Sequence, residues 1–201
     1  MSATDFDTRA ETWDDPSKVA RAESVAAAIR RAVPLARSMK ALEYGAGTGL
    51  LSFALREAIG PITMADVSEG MRAVAARKIA AANASELRVV DLDLMRDPVP
   101  AERYDLIFSM MTLHHVPDVP RVLAAFHEML NAGGWLCIAD LDAEDGSFHG
   151  PDVDVHHGFE RGALKAKLAA AGFTAIDIGD CCSVEHGTRR YSVFLACCRK
   201  P

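Results

Sequence analysis

Three glycines lie within five positions of the stretch LEYGAGTGLLS (residues 42–52), at Gly45, Gly47 and Gly49. Glycine permits backbone angles and close approaches that a Cβ would prevent, and the N–H groups that open the following helix can face a negatively charged ligand group. A dinucleotide fingerprint needs its third glycine where this chain has Leu50, and no Gly-Lys-Ser/Thr of a P-loop follows. The GxGxG spacing therefore predicts a ligand-binding turn between a strand and a helix, with a plain tight turn as the alternative.

Asp66 is a second candidate for ligand binding, because it ends the next predicted strand, ITMAD (residues 62–66). A carboxylate at that position can accept hydrogen bonds from both hydroxyls of a ribose, as in other nucleoside-binding α/β sites. Its alternative role is to cap the next helix, although Ser68 already suits that role. Together, the glycines and Asp66 favour a ligand that contains a nucleoside.

Histidines supply the candidate groups for proton transfer. Five of the seven follow two of the predicted strands, and these are His114, His115, His149, His156 and His157. A neutral imidazole near pH 7 can accept a proton from an attacking group, so His114 and His115 are the candidate catalytic residues. Hydrogen bonding of these two rings to nearby backbone is the structural alternative.

Several side chains in the fifth predicted strand or in the segment that follows it have the chemistry of metal ligands. They are Asp140, Asp142, His149, Asp152, His156 and His157. Their spacing is not diagnostic, and the cysteines lack the CxxC spacing of a zinc site, so the sequence predicts no metal.

Composition restricts the class of protein. Half of the 201 residues are hydrophobic and a quarter are charged, which is typical of a globular chain, and the net charge of −6 argues against nucleic acid as the main partner. No apolar run approaches the length of a membrane span, and the N-terminus lacks the apolar region of a secretory signal. With five cysteines in no disulfide framework, we expect a cytoplasmic protein with reduced thiols that contacts neither nucleic acid nor membrane.

Strand-like and helix-like periods alternate along the chain, which predicts a mostly parallel sheet covered by helices on both faces. The predicted strands are ALEYG, ITMAD, ELRVVD, YDLIFSM, WLCIADL, FTAIDIG and RRYSVFLACC. The last two are joined by a short segment without a helical pattern, so we expect them to pair as a hairpin.

Capping residues predict where two of the helices begin and end. Asp15 precedes Pro16 at the start of one helix, and Asp118 starts another that is expected to end at Gly133 and Gly134. The apolar face of the first helix is predicted to contain Val19, Ala22, Ala26, Ile29 and Val33.

Several motifs, in the same order along the chain, resemble those of class I S-adenosylmethionine-dependent methyltransferases. LEYGAGTG (42–49) resembles the family's first motif and ADVSEGM (65–71) its second. Later motifs are matched by DLDLMRDPVP (91–100), YDLIFSMMTLHHVPD (104–118) and MLNAGGWLCIAD (129–140), the last with Asn131 and Ala132 in place of Lys-Pro. The segment FDTRAETWD (6–14) resembles one that often folds over the cofactor in this family.

The resemblance implies a fold and a reaction. The fold is a doubly wound, seven-stranded sheet of order 3-2-1-4-5-7-6 with strand 7 antiparallel. It would form a single domain (1–201) with an N-terminal helical cover (1–40) and a Rossmann-like core (41–201). The implied methyl donor is S-adenosylmethionine, the product is S-adenosylhomocysteine, and the compact acidic chain favours a small-molecule acceptor over nucleic acid.

The resemblance also implies cofactor-binding residues. They are Glu43, Gly45, Ala46, Gly47, Asp66, Val67, Asp93, Leu94 and Ser109. Glu43 and a backbone carbonyl near Ser109 would hold the ammonium group, although Glu43 could instead be a solvated acid at the end of a strand. Asp93 and Leu94 would lie beside the adenine, with Asp91 as the competing register.

Two other functions stay open at this point. One is a non-catalytic S-adenosylmethionine-binding partner subunit. The other is a nucleotide-dependent oxidoreductase, which Leu50 and the antiparallel final strand disfavour.

Overall fold

A seven-stranded sheet runs through the computed structural model, which describes residues 3–150 and 153–201. Its strands are β1 (Ala41–Tyr44), β2 (Ile62–Ala65), β3 (Leu87–Val90), β4 (Tyr104–Met110), β5 (Leu130–Leu141), β6 (Thr174–His186) and β7 (Arg189–Arg199). The strand order is β3-β2-β1-β4-β5-β7-β6. β1 to β5 pair in parallel, whereas β7 is antiparallel to both of its neighbours. The predicted strand order and the predicted final hairpin are confirmed.

Six helices accompany the sheet in the described part of the chain. They are α1 (Ala3–Arg9), α2 (Pro16–Ala32), α3 (Leu50–Leu55), α4 (Glu69–Ala81), α5 (Val119–Met129) and α6 (Arg161–Ala170). Two short 3₁₀ turns, Ala10–Thr12 and Leu113–His115, lie between them. No helix among the described residues is both long and apolar enough to cross a membrane.

Apolar side chains of the helices cover both faces of the sheet. On one face, Val25 and Ile29 of α2 pack with Leu51 and Leu55 of α3. On the other face, the buried Phe126 of α5 belongs to a cluster that also contains the buried leucines of α6. Because both faces are buried, the short parallel strands are almost wholly apolar.

Local capping explains where α2 begins. The side chain of Asp15 accepts a hydrogen bond from the backbone N–H of Lys18 at 2.9 Å, and Pro16 occupies the first helical position, as predicted. The prediction for Val19 was wrong, because this side chain is 40% exposed. Val25 and Ala28 are buried on α2 instead, together with the predicted Ala22, Ala26 and Ile29.

The expected end of α5 was also wrong. The helix ends at Met129, and β5 begins at Leu130, so Gly133 and Gly134 lie inside the strand. Gly133 has a positive φ of 75° there, a conformation that favours glycine. These glycines therefore shape the start of β5 rather than closing the helix.

Candidate functional site

A cavity of about 380 Å³ lies at the carboxyl ends of β1, β2 and β4. This volume is within the range of small-molecule sites. Segments from six parts of the chain line it: the N-terminal segment, α2, the glycine stretch, the turn after β2, the segment after β3 and the segment after β4. The sequence brings these segments together because the carboxyl ends of parallel strands meet at one edge of a sheet.

The turn after β1 depends on its three glycines. Gly45, Gly47 and Gly49 all have positive φ values, of 71°, 55° and 85°. A Cβ on Gly45 would overlap the side chain of Thr112, whereas a Cβ on Gly47 would lie 3.7 Å from Trp13 Nε1, beside the cavity. Gly45 is therefore required by packing, while Gly47 keeps the backbone bare where it lines the cavity.

Asp66 joins two of the turns at this edge. Its Oδ2 accepts a hydrogen bond from the backbone N–H of Gly47 at 2.7 Å, and its Oδ1 accepts one from Ser68 at 2.9 Å. Burial raises the pKa of Asp66, and these two N–H groups oppose the shift. Asp66 and the adjoining Val67 both line the cavity, so the carboxylate lies where a hydroxyl-bearing ligand can reach it.

Glu43 is a buried acid on β1 that also lines the cavity. Its Oε2 accepts hydrogen bonds from the backbone N–H and the hydroxyl of Ser52. Burial raises the pKa of Glu43 to about 8, although the bonds from Ser52 act in the opposite direction. A cation bound beside it would favour the charged carboxylate.

Asp93 lines the cavity, whereas Asp91 lies outside it and forms ion pairs with Arg72 at 3.4 Å and with Arg96 at 3.7 Å. The Oδ1 of Asp93 accepts a hydrogen bond from the backbone N–H of Met95 at 2.9 Å. The side chain of Leu94 is buried in the core instead of lining the cavity. The apolar lining that sequence reasoning missed here comes from Leu92 and Met95.

Ser109 does not line the cavity. Its hydroxyl is buried and donates to the backbone carbonyl of Tyr44 at 2.9 Å, which joins β4 to β1. The lining from this part of the chain is Met110, Met111 and Thr112. Met111 has a positive φ of 54°, which for a non-glycine residue marks a sharp turn at the end of β4.

The two histidines after β4 lie in different environments. His114 is buried, and its Nδ1 lies 2.6 Å from Oδ1 of Asp140, which is itself fully buried on β5. His115 lines the cavity, and its ring contacts Phe6 edge-on with the ring centroids 5.4 Å apart. Of the pair, only His115 therefore faces the cavity.

Burial and hydrogen bonding determine the charge of Asp140, and burial determines that of His115. Burial alone would raise the pKa of Asp140, but the ring of His114 and backbone N–H groups outweigh it, so the pKa lies below its usual value. Burial, with His114 and His149 nearby, lowers the pKa of His115 to about 3. The imidazole of His115 is therefore neutral at physiological pH and only weakly basic.

The N-terminal segment covers the cavity. Phe6 and Trp13 line it, and their rings are in edge-to-face contact with centroids 5.7 Å apart. Asp7 fixes the segment to α4 by accepting hydrogen bonds from the Ser68 hydroxyl at 2.6 Å and from the Gly70 N–H at 2.8 Å. The side chain of Asp14 accepts a hydrogen bond from Thr48 of the glycine turn.

Arg21 is a cation that sequence reasoning missed. It lies on α2 and lines the cavity, and its Nε is buried without a hydrogen-bond partner in the described part of the chain. Burial lowers the pKa of Arg21, and Asp15 and Asp140 only partly offset this effect. Arg21 lies one turn after Lys18, and the sequence around it contains no motif that would have identified it as a cavity residue.

The side chains considered as metal ligands are separated by the fold. His156 Nε2 lies 3.0 Å from the carbonyl oxygen of Val116, and Asp142 pairs with Arg161 through two contacts of 2.6 and 2.7 Å. Asp152 lies outside the described residues. His149 instead joins His114 and His115, with ring centroids 5.0 Å from each.

None of the five cysteines forms a disulfide. Cys137 and Cys197 face each other across β5 and β7 with their sulfurs 3.4 Å apart in the core. Cys181 and Cys182 on β6 are only partly buried. Neither pair lies at the cavity.

Comparison with known proteins identifies relatives of this chain. A sequence model of the family described as "Methyltransferase domain" matches residues 18–178. The ubiquinone biosynthesis O-methyltransferase of Leptothrix cholodnii is 26% identical over 123 residues, which is 60% of this chain and 52% of that protein. The chain thus spans about half the length of this curated relative.

Solved structures share the fold along its whole length. A chain in the complex between the Haloferax volcanii Trm112 methyltransferase activator and a candidate methyltransferase is 17% identical, with a TM-score of 0.81, and the match covers 98% of this chain and 97% of that one. An S-adenosylmethionine-dependent methyltransferase from Aquifex aeolicus is 20% identical, with a TM-score of 0.69 and full coverage of both chains. At these identities the likeness shows the fold.

Proposed function

The chain belongs to the class I S-adenosylmethionine-dependent methyltransferase family, and we propose that it transfers a methyl group from S-adenosylmethionine to a small organic acceptor. The observation that carries this proposal is the convergence of the glycine turn, Asp66 and Asp93 on one cavity of about 380 Å³. Ligands of open α/β sheets bind at this edge, beyond the carboxyl ends of the strands.

In this proposal the nucleoside of the cofactor lies between Asp66 and Asp93. The carboxylate of Asp66 accepts the ribose hydroxyls, with Val67 beside the sugar. Asp93 and the backbone of Leu94 lie beside the adenine, and the side chains of Leu92 and Met95 supply apolar contact. The ion pairs that hold Asp91 outside the cavity favour Asp93 as the acid on the adenine side.

The methionine part of the cofactor then lies against the bare backbone of Gly45, Ala46 and Gly47. Its ammonium group faces Glu43, whose buried carboxylate becomes fully charged when a cation approaches. The second acceptor is a backbone carbonyl next to Ser109, at the end of β4 where Met110 lines the cavity. This arrangement leaves the methyl group directed towards the segment after β4.

The acceptor occupies the part of the cavity between Arg21 and His115. Arg21 is partly buried, and its buried Nε has no partner in the described part of the chain, which favours an acceptor with a negative or electron-rich oxygen. Phe6 and Trp13 form part of the cavity wall, and the size of the cavity suits a small molecule.

Methyl transfer from a sulfonium is an in-line displacement in which the positive charge on sulfur disappears. The enzyme supplies alignment and a site poor in water. His115 holds the acceptor in line by accepting a hydrogen bond, because an imidazole with a pKa of about 3 is a weak base. His114 positions His115 through its bond to Asp140 and is not expected to touch the acceptor.

A second candidate function is that of a cofactor-binding partner subunit. It is favoured by the structural likeness to a chain from a complex that contains a methyltransferase activator. Such a subunit would be non-catalytic: it would bind the cofactor without itself transferring the methyl group. The third possibility, an oxidoreductase, requires binding of NAD.

Calorimetry and a transfer assay test the proposal together. We expect heat of binding with S-adenosylmethionine and S-adenosylhomocysteine and none with NAD. Incubation of the purified chain with labelled S-adenosylmethionine and pools of small metabolites should yield labelled product. Binding of NAD alone would overturn the proposal, and cofactor binding without transfer in any pool would favour the partner subunit.

A further inference from the structure

His114, His115 and His149 form a cluster beside the cavity. Each residue offers one ligand atom, and these three atoms all lie within 4.8 Å of one another. The ring centroids of His114 and His115 are 4.1 Å apart, and each ring is 5.0 Å from that of His149. The first two side chains come from the 3₁₀ turn after β4 and the third from the segment after β5.

Asp140 orients one member of this cluster. Its Oδ1 lies 2.6 Å from Nδ1 of His114, so the Nε2 of that ring is left for another partner. A carboxylate that holds one nitrogen of a histidine is the arrangement found behind histidine ligands of metals, where it fixes the ring and raises its basicity. Both side chains are buried, so the ring of His114 is held in place before any ligand binds.

The other two rings have nitrogens without partners. Nδ1 of His115 and Nε2 of His149 are buried and accept or donate no hydrogen bond within the described residues. An unsatisfied buried nitrogen is unfavourable, and such groups call for an explanation such as a bound ion.

We propose that His114, His115 and His149 bind a divalent transition metal, with zinc as the best match for three imidazole ligands. Three protein ligands leave a fourth position open, as in catalytic rather than structural zinc sites. With metal–nitrogen distances of about 2.0–2.1 Å, tetrahedral ligand nitrogens lie about 3.3 Å apart, so the rings must close inwards on the ion. His149 lies in a segment that can supply this movement, because it follows the end of β5 and belongs to no helix or strand.

Metal binding at this cluster does not depend on the proposed methyl transfer. If both hold, the open position lies beside His115 and therefore next to the acceptor part of the cavity. An acceptor oxygen bound there would lose its proton more readily, because a metal ion lowers the pKa of a bound hydroxyl group. The metal would then take over from His115 the task of holding the acceptor, since a nitrogen that binds a metal cannot also accept a hydrogen bond.

The test uses the full chain, stripped of metal with a chelator and titrated with Zn²⁺ alone. We expect one ion per chain with micromolar affinity or better, a raised melting temperature, and visible absorption bands when Co²⁺ replaces Zn²⁺. His149→Ala should weaken binding by about 100-fold or more, and Asp140→Asn by about 10–100-fold. His186→Ala is the matched control, because this exposed histidine contacts Phe148 beside His149 but does not belong to the cluster.

Absence of Zn²⁺ binding to the stripped chain would overturn the proposal. Equal losses of affinity in the His149→Ala and His186→Ala proteins would also overturn it, since binding would then lie elsewhere. Circular dichroism establishes that each variant is folded. Should Asp140→Asn fail to fold, His149→Ala decides the question alone, because His149 is a partly exposed residue outside the helices and strands.

Discussion

The backbone N–H of Gly47 donates to the carboxylate of Asp66 at 2.7 Å, and this contact joins the turn after β1 to the turn after β2. Asp66 therefore has two roles in the proposed site. It shapes the glycine turn before the cofactor binds, and it accepts the ribose hydroxyls afterwards. Hydrogen bonds to a charged group are among the stronger ones, so its loss has a measurable effect.

We expect Asp66→Ala to weaken binding of S-adenosylhomocysteine by at least about tenfold, since each bond to a charged acceptor contributes about 1.5–3 kcal/mol. Calorimetry measures the affinity, and Asp66→Asn, which keeps one acceptor oxygen and the size of the side chain, should show a smaller loss. Unchanged affinity in a folded Asp66→Ala protein would leave Asp66 with a structural role only.

Gly45 and Gly47 should respond differently to a side chain. Both have positive φ, which costs an L-residue about 1–2 kcal/mol. A Cβ at Gly45 also overlaps Thr112, so Gly45→Ala should lower the melting temperature strongly. A Cβ at Gly47 meets no atom closer than 3.7 Å, so Gly47→Val should stay folded and lose cofactor binding.

Thermal melting and calorimetry on the two variants separate these effects. Retention of full affinity in Gly47→Val would mean that the methionine part of the cofactor does not lie against this turn. Equal melting temperatures for Gly45→Ala and the unaltered protein would contradict the packing argument for Gly45.

Much of the fold could be predicted from the sequence because local signals agree with each other. Asp15 and Pro16 mark the start of α2, and the helix-free segment before β7 requires a hairpin. Val19 shows the limit of periodicity, because an apolar residue in the first turns of a helix is buried only if another element covers it. The end of α5 and the start of β5 depend on the pairing of β5 with β4. Gly133 and Gly134 alone do not indicate this pairing.

The site could be predicted where it depends on strand ends and not where it depends on loops. Gly47 and Asp66 follow neighbouring parallel strands, so their proximity follows from the sheet. Asp91 and Asp93 are two residues apart in an irregular segment, and only the structure distinguishes them, because Asp93 lines the cavity whereas Asp91 forms ion pairs. The contact of His149 with His114 joins residues from two different loops, and no motif encodes it.

Cofactor affinity should depend on pH through Glu43. The pKa of this buried acid is about 8 without ligand, and the cofactor ammonium favours its charged form, so binding below pH 8 releases a proton. Affinity should rise by up to about tenfold per pH unit as the pH increases towards 8, and then fall because the cofactor's own amino group loses its proton near that pH.

The measurement is calorimetry between pH 6 and 9, a range that brackets the pKa of about 8. In buffers of different ionisation enthalpy it gives both the affinity and the number of protons released on binding. Glu43→Gln is the control and should remove the rise in affinity on the acid side.

The ligand-free protein should show a matching dependence of its stability on pH. Because the folded pKa of Glu43 is raised from 4.5, its contribution is greatest below pH 4.5 and is lost as the pH rises through about 8.

The N-terminal segment should contribute to binding and turnover. Removal of residues 1–14 takes away Phe6 and Trp13 from the cavity wall and leaves the Asp15 cap of α2 in place. We expect a folded protein with weaker cofactor binding or slower turnover, because closure excludes water from the displacement. Glu11→Ala, which removes an exposed ion pair with Arg77, is the control and should have little effect. Full activity of the truncated protein would make the segment a surface helix only.

Exchange of each histidine after β4 for alanine should have opposite consequences. His114→Ala leaves the buried carboxylate of Asp140 without its ring partner, and removal of one member of a buried pair costs about 3–5 kcal/mol. The melting temperature should therefore fall by roughly 10 °C in a chain of this size, and His114→Gln, which can still donate to Asp140, should recover part of this loss.

His115→Ala removes a half-buried ring that lines the cavity, so it should slow turnover while cofactor affinity and melting temperature change little. Differential scanning calorimetry and turnover per folded molecule measure the two effects. A stable His114→Ala protein would contradict the pairing with Asp140, and full turnover by His115→Ala would show that the acceptor is held elsewhere.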